Sequence, residues 1–313
     1  MSNDFAYWIT ISHLPRWKNK RINELIIKII HEKNISLSDF FTLDKSDYKD
    51  SFDLNENEID DLLNAKKEIP NNSFLAEDLI SQGYEVITLN SPDYSKYLKE
   101  NLKMNTPPLL YIKGNKQLLN EDSIAIVGSR DATDISLKFT DNIAKIMSSQ
   151  YKVIASGFAK GVDKQALDSA IKYFGHSIIV LPQGIMTFVS GFKKYYKQIV
   201  DGDVLVLSIF HPKSVWSANL AMARNPIIYG LAENIYVAQS NDSGGTWSGV
   251  IDGLRKGRKI YVRYPDDDEK NANRILVEKG AIPVDFDGKI IESYTETTES
   301  NVVAIQTTFS FIE

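Results

Sequence analysis

The sequence predicts an α/β fold in which a doubly wound, mostly parallel sheet follows a small all-α domain. From residue 109 onward, apolar runs of strand length alternate with helical segments, a pattern typical of crossover units between parallel strands. Residues 7–80 instead place their apolar side chains at helical spacing. With 313 residues and 43% hydrophobic content, the chain is large enough for both parts to bury a core.

Two apolar stripes predict helices in the N-terminal part. The first comprises Ile22, Leu25, Ile26, Ile29 and Ile30, and the second, behind an acidic stretch at 55–58, comprises Ile59, Leu62 and Leu63. Residues 84–89 then predict a strand, which Ser91 and Pro92 end with a turn.

The remaining elements alternate along the chain. Strands are predicted at 109–112, 124–127, 153–155, 177–181, 204–207, 234–238, 259–262 and 281–284. Helices are predicted near 137–148, 164–174, 218–231, 249–256 and 271–280. We therefore expect a helical domain over 1–84, a sheet domain over 85–285 and a short tail over 286–313, which ends in an apolar, β-prone stretch at 302–312.

Composition narrows the possible classes of function. The chain has no cysteine, which excludes disulfides, thiolate metal sites and cysteine nucleophiles, and its four histidines show no paired metal spacing. We expect neither a metal nor a cofactor. The first ten residues lack a basic region followed by a long apolar run, and no segment approaches the roughly 20 apolar residues of a membrane span. We therefore expect a cytoplasmic protein that does not enter a membrane.

Charge is distributed unevenly, although the net charge is only −5. Residues 1–90 hold 10 basic and 16 acidic side chains, residues 91–285 hold 25 and 20, and residues 286–313 hold 1 and 5. The middle of the chain is therefore basic between acidic ends. Either this variation is that of an ordinary solvated surface, or the basic middle attracts an anionic partner.

Two turns in this basic middle predict a phosphate-binding crevice. Each follows an apolar strand run that stops at glycine and a small hydroxyl residue, so that bare backbone N–H groups can face an anion. Such turns on neighbouring parallel strands lie at the carboxyl edge of the sheet, where doubly wound folds bind ligands. A guanidinium or ammonium group beside each turn can pair with phosphate, or can simply be solvated. The predicted residues are Gly128, Ser129, Arg130, Ser156, Gly157 and Lys160.

Two further segments extend this prediction. Arg224 and Asn225 begin an apolar helical stripe, where Arg224 is either an anion ligand or an exposed helix residue. A small-residue turn follows the predicted strand at 234–238 and leads into a helix, which makes it another candidate anion site. It comprises Ser243, Gly244, Gly245 and Thr246. Aromatic side chains available for base stacking include Phe158, Phe192, Trp216 and Trp247, although such residues more often belong to a core or an ordinary surface.

Taken together, the motifs resemble those of the DNA-processing protein A family (DprA, also called Smf). The matching segments are 107–115, 125–130, 156–163, 224–231, 243–246, 257–262 and 273–281. The resemblance implies an extended Rossmann-like sheet behind a small helical, SAM-like domain. It also implies binding of single-stranded DNA, assembly as a homodimer, and transfer of that DNA to the RecA recombinase in DNA uptake, recombination or defence. The chain departs from the family pattern at Leu167, Ile209 and Pro226, which marks a divergent member.

Two other classes of function remain open at this stage. The small-residue turn at 243–246 is similar to that of the Lonely Guy phosphoribohydrolases, which predicts a nucleotide-binding or nucleotide-cleaving protein as the alternative. In those enzymes a catalytic glutamate follows the turn, whereas Trp247 follows it here. We find no catalytic residue set and expect a binding protein and not an enzyme. The third possibility is a pure interaction protein.

Overall fold

A computed structural model describes residues 2–292, which form two compact units. The first unit joins Met1–Asp122 to His176–Leu231, and the second joins Ser123–Gly175 to Ala232–Glu313. The strand predicted at 302–312 lies outside the described residues. Among the helices of this described part, none is long and apolar enough to cross a bilayer.

The helices and strands follow in chain order. The chain begins with α1 (Ser2–Ser12), α2 (Asn19–Ile27), α3 (Leu37–Phe40), α4 (Lys45–Phe52), α5 (Glu56–Lys66), α6 (Ile69–Ser81), β1 (Glu85–Thr88), α7 (Lys96–Leu102), β2 (Leu109–Gly114), β3 (Ser123–Val127), α8 (Asp134–Ser149), β4 (Val153–Ser156) and α9 (Val162–Lys172). It continues with β5 (Ser177–Val180), α10 (Val189–Lys194), α11 (Tyr196–Asp201), β6 (Val204–Ser208), α12 (Ala218–Leu231), β7 (Asn234–Val237), α13 (Gly244–Arg255), β8 (Ile260–Arg263), α14 (Asn273–Glu278) and β9 (Ile282–Val284).

Two N-terminal helices of the first unit, α4 and α5, begin at capping boxes. The Asp44 carboxylate accepts the backbone N–H of Asp47 at 3.0 Å, and the Asp47 carboxylate accepts the backbone N–H of Asp44 at 3.2 Å. Asn55 and Glu58 form the same reciprocal box at the start of α5. The predicted apolar stripes are buried except for Ile30 and Leu63, which are half-buried. Tyr48 is fully buried and donates its hydroxyl to the Phe40 carbonyl. These caps fix where short helices of modest intrinsic stability start.

Strands in the first unit pair in the order β1, β2, β6, β5. The β1–β2 and β2–β6 pairs are antiparallel, and only the β5–β6 pair is parallel. Asn23 joins α2 to the segment that precedes β2, since its buried side-chain amide donates to the carbonyls of Met104 at 2.9 Å and Thr106 at 2.8 Å. A buried amide donor of this kind stabilises the contact because leaving it unpaired would be costly.

All strand pairs in the second unit are parallel, in the order β4, β3, β7, β8, β9. α8 and α9 pack against one another and against these strands around a core of Ile126, Phe139, Ile143 and Ala166. Because the strands are parallel, the turns that follow β3, β4 and β7 share the carboxyl edge of this sheet. The predicted mixed α/β class, with mostly parallel strands and N-terminal helices, is confirmed.

A buried polar network holds this carboxyl edge. Asn273 is fully buried and donates its amide to the carbonyls of Ala238 at 3.1 Å and Arg263 at 2.8 Å, while its oxygen accepts the N–H of Ser240. The nearly inaccessible Arg263 guanidinium donates to the Ala238 carbonyl and to Glu269. The hydrogen bonds from Arg263 hold the pKa of Glu269 below its usual value. The network therefore joins the ends of β7 and β8 to the start of α14.

Replacing Asn273 with aspartate tests this network with almost no change in volume. We expect Asn273→Asp to lower the free energy of unfolding by about 3 kcal/mol, because a carboxylate would face two carbonyl oxygens that have lost their donor. Urea denaturation measures the change. The matched variant Asn64→Asp changes an exposed position on α5, and its free energy of unfolding should stay within about 0.5 kcal/mol of that of the parent. A small effect at Asn273 would contradict the assigned role.

A histidine pair makes the first unit sensitive to acid. The His13 ring lies 2.9 Å from the Tyr111 hydroxyl, measured from Nε2, and 5.5 Å from the His211 ring centroid. Burial, and secondarily His211, lowers the pKa of His13 from 6.5 to about 3. Burial also lowers the pKa of His211. Both rings are therefore neutral in the folded protein at neutral pH.

Stability should consequently decline as the pH falls below 6.5. Below pH 6.5 the unfolded chain takes up protons on these histidines, whereas the folded protein does so only near the lowered pKa. The neutral histidines therefore make their full contribution to stability only above pH 6.5. At pH 5 the loss attributable to His13 is about 2 kcal/mol. Denaturation of His13→Gln should show a shallower decline between pH 7 and 5, while His31→Gln, at an exposed position, should keep the parent slope. Equal slopes for all three proteins would refute this assignment.

Candidate nucleic-acid interface

Three turns of the second unit meet at the carboxyl edge of its sheet. They follow β3, β4 and β7, and β3 pairs with both of the other strands. The prediction that the turns at Gly128 and Gly157 lie on neighbouring parallel strands is therefore confirmed. The segment after β7 also contacts the turn after β3 directly, since the Gln239 carbonyl accepts the N–H of Ser129 at 2.9 Å.

Close backbone packing explains two glycines in these turns. A side chain at Gly128 would bring its Cβ within 2.6 Å of the Val162 side chain. Gly161 has a φ of +85°, and a Cβ there would lie 2.6 Å from the Arg130 carbonyl oxygen. The first two turns therefore fit together only because both positions lack a side chain.

Several backbone amides of these turns are already used within the fold. Ser129 donates to Gln239, Val162 donates to the Ser129 carbonyl at 3.3 Å, and Lys164 donates to the Ala159 carbonyl at 3.0 Å. Ser156 is fully buried, and its hydroxyl donates to the Ile126 carbonyl at 2.6 Å. The turns are thus less open to an anion than the predicted amide cradle requires. The accessible polar groups are side chains.

A cleft of about 580 Å³ lies beside the first two turns. Three cationic side chains line it, those of Arg130, Lys160 and Lys164, together with the carboxylates of Asp131 and Asp168. The Lys160 ammonium is 3.4 Å from the Asp131 carboxylate, but both side chains are more than 80% exposed. An ion pair in that setting contributes little, because water screens it. Lys160 can therefore exchange Asp131 for another anion at small cost.

The third turn, at the start of α13, is more open. Ser243 and Gly244 are exposed, while Gly245 and Thr246 are half-buried. Gly244 has a φ of +87° with open space where a Cβ would lie, so that glycine is needed there for its backbone conformation alone. The Ser243 hydroxyl donates to Asp242 at 3.3 Å.

Arg224 and Asn225 lie in the first unit, on α12. Arg224 is only 4% exposed, and its Nη1 donates to the Val180 carbonyl at 2.7 Å. Asn225 is half-buried. The guanidinium therefore supports the end of β5, and we leave Arg224 and Ser156 out of the proposed contacts with DNA.

The candidate stacking residues differ in accessibility. Phe192 packs edge-on against Tyr84 and Phe188, which makes it part of a core cluster. Phe158 and Trp247 are half-buried, and Trp216 is 51% exposed.

Sequence reasoning missed Asp131, Lys164 and Asp168 as cleft residues, although Lys164 and Asp168 stand one helical turn apart on α9.

A second cleft, of about 690 Å³, lies among the N-terminal helices and is also lined by basic residues. Its arginines are held by partly buried carboxylates: Arg16 by Asp61 at 2.5 Å and Arg21 by Glu58 at 2.7 Å. Asp61 and Glu58 are 11% and 17% exposed, so that these pairs are screened less than the pair of Lys160 with Asp131. The cleft of the second unit is therefore the better candidate for an external anion.

Comparison with known proteins gives one consistent family. The family model described as DNA recombination-mediator protein A matches residues 85–295. The chain is 31% identical over 158 residues to the DNA processing protein DprA of Streptococcus pneumoniae, covering 50% of this chain and 56% of that protein. It is 28% identical over 185 residues to the DprA of Bacillus subtilis, covering 58% and 61%. The chain thus spans somewhat over half the length of these curated relatives.

Solved structures show the same fold. The X-ray structure of DprA from Streptococcus pneumoniae superposes with a TM-score of 0.65 at 23% identity, over 91% of this chain and 95% of that one. DNA processing protein A from Helicobacter pylori, whose structure is described for its single-stranded DNA binding mode, superposes with a TM-score of 0.55 at 22% identity, over 70% and 96%. The description of the family as a recombination mediator agrees with the expectation of a protein that acts without catalysis. The resemblance predicted from the motifs is confirmed, and the chain belongs to the DNA recombination-mediator protein A family.

Proposed function

We propose that this protein binds single-stranded DNA in the cleft of its second unit. The observation that carries the proposal is the convergence of Arg130, Lys160 and Lys164 on one open cleft at the carboxyl edge of a parallel sheet. Neutralising successive phosphates requires cations grouped in this way. The relative from Helicobacter pylori, described as binding single-stranded DNA, supports the same ligand class.

Binding depends on side-chain charge more than on backbone amides. The Arg130 guanidinium can pair bidentately with a phosphate, while the flexible Lys160 can turn from Asp131 toward the strand. Contacts of this kind read phosphate and not base sequence. We therefore expect little sequence preference and a steep decrease in affinity with salt.

The cellular role that we propose is to pass bound DNA to the RecA recombinase as a cytoplasmic homodimer. The family's description as a recombination mediator supports this role. We assign Arg130, Lys160 and Lys164 to DNA contacts, with the turns at Gly128, Ser129 and Gly157 positioning these cations and the turn at 243–246 as an extension of the site. All of them belong to the proposed sheet domain over 85–285 and follow strands of the second unit.

Removing either cation should weaken binding. We expect Arg130→Ala and Lys160→Ala each to cost about 1–2 kcal/mol of affinity for an oligothymidylate, because each removes one charge-assisted contact. The slope of log K against log salt should decrease by about one for each variant. Fluorescence anisotropy at two salt concentrations measures both quantities.

Lys49→Ala is the matched control, since it removes one exposed positive charge from α4 in the first unit. It should leave both affinity and salt slope unchanged. Unaltered affinity in the Arg130 and Lys160 variants would contradict the proposed site. Tight binding of a mononucleotide by those variants would favour the nucleotide-binding alternative instead.

Asp131 provides a test in the opposite direction. The Asp131→Asn variant keeps the side chain's shape but removes a carboxylate that competes with phosphate for Lys160. We expect it to bind an oligothymidylate about threefold more tightly at low salt, with a smaller gain at high salt where charges are screened. The same titration measures this, and weaker binding by Asp131→Asn would argue against phosphate in the cleft.

A further inference from the structure

Two helices of the second unit, α8 and α9, end in an unusual way. Just after α8, Tyr151 has a φ of +58°, and just after α9, Phe174 has a φ of +56°. The N–H of Tyr151 donates to Ser148 at 3.0 Å, and that of Phe174 donates to Ile171 at 3.1 Å, so that both residues close their helices. Glycine or asparagine normally takes this left-handed position, which bulky side chains disfavour.

Both side chains are also turned into solvent. Phe174 is 96% exposed and Tyr151 is 87% exposed, the two highest values among the large hydrophobic side chains of residues 2–292. An exposed aromatic ring at a strained position adds nothing to the stability of the folded chain. Backbone strain combined with an exposed aromatic side chain indicates that these residues serve to bind a partner and not to stabilise the fold.

The two aromatic residues follow in sequence the two sides of one close contact between the helices. Gly175, which follows Phe174, packs so tightly on α8 that an added Cβ would lie 2.6 Å from the Cβ of Ser148. Ser148 is three residues before Tyr151. Because α8 and α9 run back from the carboxyl edge, this surface lies at the amino edge of the second unit's sheet, one strand length of about 15 Å from the cleft.

The lysines around these rings outnumber the carboxylates that pair with them by three to two, so that the net charge is slightly positive. The stretches 142–152 and 169–175 contain Lys145, Lys152 and Lys172 and no carboxylate. Lys172 lies 3.2 Å from Asp141, and Lys152 lies 3.7 Å from Glu233. Lys145 and Lys172 are both exposed. Lys145 and Lys172 lie over the ring of Tyr173, which precedes Phe174, at 5.9 and 4.6 Å from its centroid. Exposed aromatic rings and cations on one surface are the features that bind single-stranded nucleic acid, by stacking bases and pairing phosphates.

We propose that Tyr151 and Phe174, with Lys145 and Lys172, form an aromatic platform that contacts a second segment of single-stranded DNA. This inference rests on the proposed function, since it assigns a further contact to the same ligand. The positive charge favours nucleic acid over an apolar protein segment as the occupant. A strand long enough to leave the cleft would reach the platform, whereas a short strand would occupy the cleft alone.

The double variant Tyr151→Gly/Phe174→Gly tests the platform. Glycine suits the left-handed backbone, so that the melting temperature should rise or stay level while long-strand binding decreases. Affinity is measured with oligothymidylates of about 4 nucleotides, which at roughly 3.4 Å per nucleotide are too short to leave the cleft for the platform, and of about 40 nucleotides. We expect parent affinity for the short strand and about tenfold weaker binding of the long one, the size of one lost base stack.

The controls separate the two proposals. Phe74→Ser removes a ring that is 72% exposed on α6 and should change neither affinity. Arg130→Ala should weaken binding of both the short and the long strand. If it does not, the result rejects the proposed cleft site and not the platform. Parent affinity of the double variant for the long strand would overturn the platform. An equal loss at both lengths would also overturn it, because the rings would then belong to the cleft's own site.

Discussion

Buried side-chain amides at the carboxyl edge of the second unit determine where its functional groups can lie. Asn273 joins the ends of β7 and β8 through three hydrogen bonds, and Gln239 accepts the N–H of Thr133 at 2.9 Å at the start of α8. The backbone of Gln239 also accepts the N–H of Ser129, which fixes the turn that carries Arg130. An open turn bearing an exposed guanidinium would otherwise be mobile. The buried network therefore positions the charges of the cleft, although Asn273 and Gln239 do not line the cleft themselves.

Hydrophobic periodicity predicted most of the fold because it records burial directly. The helix expected at 218–231 and the strands at 124–127 and 153–155 agree with α12, β3 and β4 to within a residue. The short helices α10 and α11 were missed, since six residues are too few to show a helical stripe. The start of α13 at Gly244, expected near 249, was hidden by its glycines. The antiparallel pairing of β2 with β1 and β6 was not predicted, because the direction of a neighbouring strand leaves no signal in the local sequence.

The candidate site was predicted less completely than the fold. Glycine spacing identified the turns at Gly128 and Gly157, and at Gly128 close packing against Val162 explains why glycine is required. Whether a polar side chain is buried or exposed depends on contacts with residues far away in the sequence, which a local sequence pattern does not show. Arg224 pairs with a carbonyl 44 positions away, and Ser156 with one 30 positions away, so that both are buried. Exposed aromatics at left-handed positions, such as Tyr151, appear only when backbone angles are known.

The central claim is that DNA phosphates lie against the cations of the second unit's cleft. A crystal structure of the protein with a short oligothymidylate tests it most directly. The account predicts phosphate oxygens within about 3 Å of the Arg130 guanidinium and the Lys160 ammonium. A strand bound instead to the basic cleft of the N-terminal helices, beside Arg16 and Lys18, with the turns at Gly128 and Gly157 unoccupied, would contradict it.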